Sequence, residues 1–100
     1  MLKRIRHKGL SALHLSGAAK GVPAALAEKI ELILDRLDVA AGPQDFGFGY
    51  KLHPLKGALK GYWAVHVSAN WRIVFRFEGE DATDVDLVDY PTDVDLVDYH

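Results

Sequence analysis

The strongest structural signal in the chain is the segment YWAVHVSANWRIVFRF, residues 62–77. Apolar and polar side chains alternate along both of its halves, and this period of two predicts two β-strands joined by a hairpin turn. The apolar residues then share one face of the hairpin: Trp63, Val65, Val67, Trp71, Ile73, Phe75 and Phe77. If Val65 pairs with Ile73, the opposite face aligns His66 with Arg72. One face is therefore expected to form a core, and the other to carry polar side chains that are candidates for a functional site.

A third strand is expected after the acidic turn that follows Glu78. Pairing Glu78 with Ala82 across a three-residue loop keeps apolar residues opposite apolar ones, namely Phe75 with Val85 and Ile73 with Leu87. In this register Asp84 lies opposite Arg76. A two-residue loop would instead turn Asp84 and Asp86 toward the core, so the three-residue loop is the preferred prediction.

Two helices are expected before the hairpin. The first spans residues 7–15 and ends at Ser16-Gly17. The second begins at Pro23, a residue suited to the first helical position, and ends at Gly42-Pro43. Its apolar side chains recur at helical spacing, which is typical of a helix with one buried face: Leu26, Ile30, Ile33, Leu34 and Leu37.

The remaining segments complete an α+β fold. Leu2–Arg6 mixes apolar and basic residues and predicts a short first strand. Pro54 cannot donate a ladder hydrogen bond, so the segment around it is expected at a sheet edge. The prediction is one domain, residues 1–100, with two N-terminal helices packed on a small antiparallel β-sheet.

Charge is distributed unevenly along the chain. Residues 1–77 hold all 12 Lys and Arg with five acids, whereas residues 78–100 hold nine acids and no base. A body with this excess of positive charge suits a polyanion such as RNA, and an acidic tail would repel that polyanion or occupy its place. The chain has no cysteine, which excludes disulfide scaffolds. No segment approaches the roughly 18 apolar residues of a membrane span, and Met1–Lys8 lacks the apolar run of a signal peptide, so we expect a cytoplasmic protein.

The acidic tail is a tandem repeat. Residues 83–90 read TDVDLVDY, and residues 92–99 repeat the same eight letters, with Pro91 between the copies and His100 after the second. The unit is too short for a solenoid, which stacks repeats of roughly 20 residues or more, so we interpret it as a duplicated terminal strand. Without one nine-residue unit, which carries three aspartates, the chain would be slightly basic.

Four segments, in this order, carry a likeness to a known family: KLHPLKG (51–57), GYWAV (61–65), NWRIVFRF (70–77) and the ending DYH (98–100). Over nearly its whole length the chain resembles the HigB-type toxins of the RelE superfamily, the toxin halves of bacterial toxin–antitoxin pairs. The resemblance implies a RelE-like fold and an endoribonuclease, without metal or cofactor, that cuts mRNA on the translating ribosome. It also implies neutralisation by a helix-turn-helix antitoxin, through which alone the toxin would reach operator DNA.

The resemblance assigns functional positions to His53, Lys56, Arg72 and the ending, which consists of Asp98, Tyr99 and His100. The duplication departs from the family pattern. The first copy ends in Asp89, Tyr90 and Pro91, so Asp89 and Tyr90 are the alternative candidates and proline stands where the family has its histidine.

RNA cleavage without a metal needs a base for the 2′-hydroxyl proton, a cation for the phosphorane and an acid for the leaving 5′-oxygen. Arg72 suits the cation, because a guanidinium binds two phosphate oxygens, and His53 can exchange protons near neutral pH. The alternatives are an arginine paired with an acid on an exposed strand and a histidine that merely forms a turn. The residues alone do not assign the base and the acid.

Basic side chains outside the hairpin are candidates for RNA contacts. Lys56 is expected to contact phosphate. The basic opening of the chain is expected to contact ribosomal RNA, with a solvated surface as the alternative interpretation: Lys3, Arg4, Arg6 and Lys8. His7, His14 and His66 lack metal-ligand spacing, so no metal site is expected.

The two copies of the terminal strand compete for one place in the sheet. Using the second copy lengthens the loop from three to 12 residues, and two doublings cost about 1.2 kcal/mol of closure entropy, so the first copy is expected to win. Three outcomes stay open: an impaired toxin with a loose acidic tail, an active toxin in which the second copy exchanges in, and a strand-swapped dimer. A non-catalytic module that binds its antitoxin and regulates transcription is the alternative function.

Overall fold

Two helices and four strands make up the regular structure of this protein, seen in a computed structural model that describes residues 1–46 and 50–89. The helices are α1 (Lys8–Ser16) and α2 (Ala27–Val39). The strands are β1 (His53–Pro54), β2 (Tyr62–His66), β3 (Trp71–Glu78) and β4 (Asp81–Asp89), which form one antiparallel sheet in the order β1-β2-β3-β4. The α+β class, with two helices followed by an antiparallel sheet, confirms the prediction. In this part of the chain no helix has the length and apolarity that crossing a bilayer requires.

Both helices begin one residue or more later than predicted. His7 precedes α1 as its N-cap, where its Nδ1 accepts a hydrogen bond from the Leu10 N–H at 3.2 Å. A 3₁₀ turn, Ala24–Leu26, comes before α2, so Pro23 precedes that turn and does not open the α-helix. The side chains of α2 that are fully buried belong to the predicted stripe: Ile30, Ile33, Leu34 and Leu37.

The β2–β3 hairpin has the predicted register. Val65 pairs with Ile73 and His66 with Arg72. The helix-facing side of this hairpin forms the main core together with α1, α2 and Phe46, whose ring stacks on Phe75 with centroids 5.9 Å apart. Trp63 and Trp71 pack against this core and are partly buried. The period-two pattern therefore identified the buried face correctly.

The β3–β4 register is correct in one half and wrong in the other. Far from the turn, Ile73 pairs with Leu87 and Arg72 with Val88, as predicted. Near the turn, Glu78 pairs with Asp81, so the loop has two residues and not the predicted three. Gly79 has φ +64° at the first loop position, which glycine adopts without strain.

A β-bulge reconciles the short loop with the buried apolar face. The register shifts between Val74 and Arg76, so two residues of β4 stand opposite Phe75. One of them, Asp84, has a left-handed backbone with φ +51°. The extra residue restores the phase, and Val85 is buried in the main core.

The bulge also positions a charge network. Asp84 accepts a hydrogen bond from Arg76 Nε at 2.8 Å and lies 3.6 Å from a guanidinium nitrogen of Arg4. This hydrogen bond to Asp84 raises the pKa of Arg76 above its ordinary value. Although the backbone partner of Arg76 is Thr83, the predicted side-chain contact between Arg76 and Asp84 is therefore present.

The N-terminal segment lies along the edge of β4 that does not pair with β3. Leu2 and Ile5 form two isolated parallel bridges to β4, so the segment does not form the regular strand that was predicted. Lys3 N–H donates to the Ala82 carbonyl at 2.8 Å, and the Lys3 ammonium is 2.7 Å from a carboxylate oxygen of Glu78. β4 consequently has β3 on one side and the start of the chain on the other.

A second apolar cluster covers part of the sheet face that points away from the helices, here called the outer face. Its buried members are Leu55, Ala64, Val74 and Val88. Leu59 and Tyr62 pack against them. The sheet is thus partly covered on both sides, and the polar residues of the outer face surround an apolar floor.

We expect Asp84→Val to destabilise the fold by about 1–3 kcal/mol more than Asp84→Gly, because valine tolerates the left-handed backbone poorly and glycine tolerates it well. Urea unfolding of both variants measures the difference. Both substitutions remove the contact with Arg76, so the comparison isolates the backbone. Equal stabilities would contradict the bulge conformation.

The Lys3–Glu78 contact predicts a pH effect on stability. The hydrogen bond from Lys3 lowers the pKa of Glu78 below its usual value, and Glu78 in turn raises the pKa of Lys3. A carboxylate with a lowered folded-state pKa stabilises the fold above its unfolded pKa, and this contribution is lost as pH falls through the folded pKa. NMR titration of Glu78 should show its pKa rising in Lys3→Gln and unchanged in the control Lys8→Gln. The same Glu78 pKa in both variants would contradict the contact.

Candidate active site

The outer face of the sheet brings together residues from all four strands. His53 on β1 pairs with Ala64 of β2, so both side chains lie on this face. The same alternation places three further polar residues there, one on each of the remaining strands: His66, Arg72 and Asp86. Two histidines, an arginine and a carboxylate therefore share one face around the second apolar cluster.

His53 is oriented by the backbone just before it. Its Nδ1 is 2.7 Å from the carbonyl oxygen of Lys51. A carbonyl oxygen can only accept, so we assign the ring proton to Nδ1, and in the neutral ring Nε2 then carries the lone pair. Nε2 is shielded from solvent. The nitrogen that could act as a base is therefore defined, and it is not exposed on the surface.

His53 also contacts a second histidine. The rings of His53 and His66 meet edge to face, with centroids 5.5 Å apart and planes at 72°. The backbone N–H of His66 donates to the Tyr50 carbonyl at 2.8 Å, which ties β2 to the segment before β1. Two imidazole rings, each of which can donate and accept hydrogen bonds, are consequently adjacent.

Arg72 lies on the predicted face, and its side chain is buried, with 3% of its surface exposed. Its Nη1 donates to the carbonyl oxygens of Ser68, Ala69 and Trp71 at 2.8, 3.1 and 3.2 Å. The interpretation as an exposed arginine paired with an acid did not anticipate this burial. The guanidinium holds the β2–β3 turn and keeps a permanent positive charge beneath the outer face.

The basic candidates are split between free and paired side chains. Lys56 is exposed and directly precedes the 3₁₀ turn Gly57–Leu59. Lys3 and Arg4 contact Glu78 and Asp84, so their charges are partly neutralised. Within residues 1–46 and 50–89, Arg6 and Lys8 have no acidic partner within salt-bridge distance. These two, with Lys56, remain the basic candidates best placed to contact RNA.

The terminal candidates are only partly visible. Asp89 is exposed at the end of β4 and pairs with Trp71, so the register places it on the face opposite Arg72. The structure does not bring Asp89 to the outer face with His53. Tyr90, Asp98, Tyr99 and His100 lie outside the described residues.

Two residues of the outer face had no predicted role. His66 was noted only as the partner of Arg72, and its contact with His53 depends on the pairing of β1 with β2, which two residues of strand do not reveal. Asp86 lies on this face, with Oδ1 accepting from the Leu87 N–H at 2.9 Å. The predicted register already placed Asp86 on this face, without assigning it a role.

The arrangement is suited to proton transfer beside a positive charge. The histidine pair can take up and release protons, and buried Arg72 stabilises negative charge more strongly than an exposed cation because water screens it less. Within the described part of the chain, no three His, Asp or Glu side chains are grouped closely enough to hold a metal ion.

The family model for the RelE-like toxin of the type II toxin–antitoxin system HigB matches residues 3–91. The chain is also 43% identical, over 91 residues, to Endoribonuclease HigB of Proteus vulgaris. That alignment covers 90% of this chain and 99% of the relative. The family match ends at residue 91, one residue beyond the first copy of the repeat.

Solved structures agree on the fold. The YoeB/ParE toxin from Agrobacterium tumefaciens superposes with a TM-score of 0.54 at 22% identity, covering 90% of this chain and 96% of that one. The conserved hypothetical protein HP0894 of Helicobacter pylori superposes with a TM-score of 0.52 at 16% identity, covering 89% and 94%. Taken with the family match, these findings show that the chain belongs to the HigB-like toxins of type II toxin–antitoxin systems, a family that implies an antitoxin partner.

Proposed function

We propose that this protein is an endoribonuclease that cleaves mRNA on the ribosome, in the cytoplasm, without a metal ion. The observation that carries the proposal is the contact between His53 and His66 on the face that also holds Arg72. Its support from outside the structure is the 43% identity to a protein named Endoribonuclease HigB.

The reaction we propose is attack of a ribose 2′-oxygen on the adjacent phosphorus. The 2′-hydroxyl proton passes to a base, the bond from phosphorus to the 5′-oxygen breaks, and an acid protonates that oxygen. The products are a 2′,3′-cyclic phosphate and a free 5′-hydroxyl. His53 is the proposed base, acting through Nε2, and Arg72 stabilises the charge of the phosphorane.

The remaining candidates complete the proposal. Lys56 holds a neighbouring phosphate, and Arg6 and Lys8 of the basic opening contact ribosomal RNA. His100 supplies the acid when the second copy of the repeat occupies the last strand, and Asp98 and Tyr99 then take the sequence positions of Asp89 and Tyr90. Because the register turns Asp89 away from Arg72, Asp98 is not the proposed acid in that position.

A catalytically impaired toxin that still binds its antitoxin is the second candidate. One observation favours it: β4 is built from the first copy, which is followed by Pro91. Proline cannot exchange a proton, so this ending lacks the group that the family has there. In this alternative the protein acts through a helix-turn-helix antitoxin, and through it on operator DNA.

We expect His53→Gln to lower the cleavage rate by about 10²–10⁴-fold, the range that a general base contributes. The assay measures cleavage of ribosome-bound mRNA by the full chain. His14→Gln, on α1 and away from the sheet, is the matched control and should keep the rate within twofold.

Arg72→Lys separates charge from geometry in the same assay. Lysine keeps the charge but cannot reproduce the guanidinium contacts, so we expect a reduced rate in a chain that still unfolds cooperatively. Full activity in both His53→Gln and Arg72→Lys would exclude the outer face as the catalytic site.

The role of the duplication can be tested with two 91-residue chains that differ only in their last residue. Deleting residues 83–91 leaves an ending Asp-Tyr-His, and deleting residues 92–100 leaves Asp-Tyr-Pro. If the terminal histidine is the acid, the first chain should cleave at least 100-fold faster than the second.

The cleavage rate of the full chain then shows which copy of the repeat acts. Cleavage at the rate of the Asp-Tyr-His chain indicates exchange of the second copy, and cleavage at the rate of the Asp-Tyr-Pro chain indicates an impaired toxin. A doubled mass in light scattering, for the full chain alone, indicates a strand-swapped dimer. Equal rates in the two short chains would contradict a catalytic role for the last residue.

A further inference from the structure

A depression of about 200 Å³ lies beside His66, between α2, the segment before β1 and the β2–β3 turn. Its lining residues are Lys29, Lys51, His66, Val67, Ser68 and Ala69. It contains two lysines and no acid. None of the functional assignments above uses either lysine.

The charges of this depression are available to a ligand. Lys29 and Lys51 are exposed, and neither forms a salt bridge with an acid among residues 1–46 and 50–89. Ser68 Oγ accepts from the Trp71 N–H at 3.3 Å, which leaves the hydroxyl proton to be donated. The wall of the depression thus offers two cations and one hydroxyl donor.

Arg72 binds two carbonyl oxygens of the β2–β3 turn that would otherwise repel an anion. The carbonyl oxygens of Ser68 and Ala69 would repel an anion, but both accept hydrogen bonds from the Arg72 guanidinium. The positive charge beneath the turn adds to the potential of the two lysines. The electrostatic character of the depression is therefore that of an anion site.

The conformation of Lys51 links the depression to the catalytic histidine. Lys51 has a left-handed backbone with φ +52°, which is uncommon for a residue other than glycine. Its carbonyl orients the His53 ring at 2.7 Å while its side chain lines the depression. Backbone strain of this kind is often retained at functional sites.

We propose that this depression binds a phosphate group of the RNA backbone one position away from the phosphate that is cleaved, an inference that rests on the proposed ribonuclease function. Pockets that enclose a whole small ligand measure roughly 300–1,000 Å³, so this depression fits a phosphate group and not an enclosed nucleotide. Lys29 and Lys51 neutralise the phosphate, and Ser68 donates a hydrogen bond to it. Through Lys51 the bound phosphate sets the distance between the RNA and His53.

Titration of the full chain with inorganic phosphate, followed by the NMR shifts of the backbone amides, tests the site directly. We expect saturable shifts at Ser68 and Ala69. Lys29→Gln and Lys51→Gln should each raise the dissociation constant at least fivefold. Lys20→Gln, an exposed lysine that does not line the depression, is the matched control and should leave it within twofold.

A second measurement uses a single-stranded oligoribonucleotide with 2′-O-methyl groups, which cannot be cleaved. Each lysine variant should reduce the slope of log affinity against log salt by about 0.7, the value for one lost phosphate contact on a single strand. An unchanged slope in both variants would overturn the proposal. Equal weakening by Lys20→Gln would also overturn it, because the binding would then reflect net charge alone.

The outcomes separate this inference from the proposed function. Phosphate binding requires no cleavage, so a chain that binds phosphate here but cuts no RNA retains the anion site and loses only the ribonuclease role. Conversely, cleavage that depends on His53 together with phosphate that shifts no amide of residues 68–69 leaves the function intact and excludes this site.

Discussion

The strict alternation of side chains along β3 is the constraint on which the rest of the structure depends. Ile73 and Phe75 are buried in the main core, while the alternate residues Arg72 and Val74 lie on the outer face. A shift of one residue would exchange the two sets and bury the site. Because β2 and β4 both pair with this strand, its phase determines which of their side chains enter the main core and which lie on the outer face.

The outer face shows how a small chain supports charged groups. Arg72 is buried there, and its guanidinium is compensated by carbonyl oxygens of the β2–β3 turn. A buried cation without such partners would cost several kcal/mol. The same hydrogen bonds fix the turn next to the histidine pair, so stability and the geometry of the candidate site have one origin. The turn is therefore part of the site although it contains none of the proposed catalytic residues.

Local patterns predicted much of this arrangement, and the failures have identifiable causes. The β2–β3 register followed from alternation alone, because apolar residues recur at every second position in both strands. The predicted length of the β3–β4 loop was wrong because a bulge at Asp84 changes the phase inside β4. The left-handed conformation of this aspartate is not indicated by any pattern in the sequence. The burial of Arg72 was not predicted, because its guanidinium bonds to carbonyl oxygens of the β2–β3 turn, and alternation along a strand does not indicate such contacts.

The position of β4 has a consequence for the order in which the chain can fold. The last strand described lies between β3 and the first residues, since Leu2 and Ile5 bridge to Ala82 and Val85. The N-terminal segment is synthesised first and yet has no strand to dock on until β4 has been made. Contacts between such distant parts of a chain form slowly, because a long loop must close first. During synthesis the N-terminal segment can therefore join the sheet only after β4 has been made, so its contacts with β4 form late.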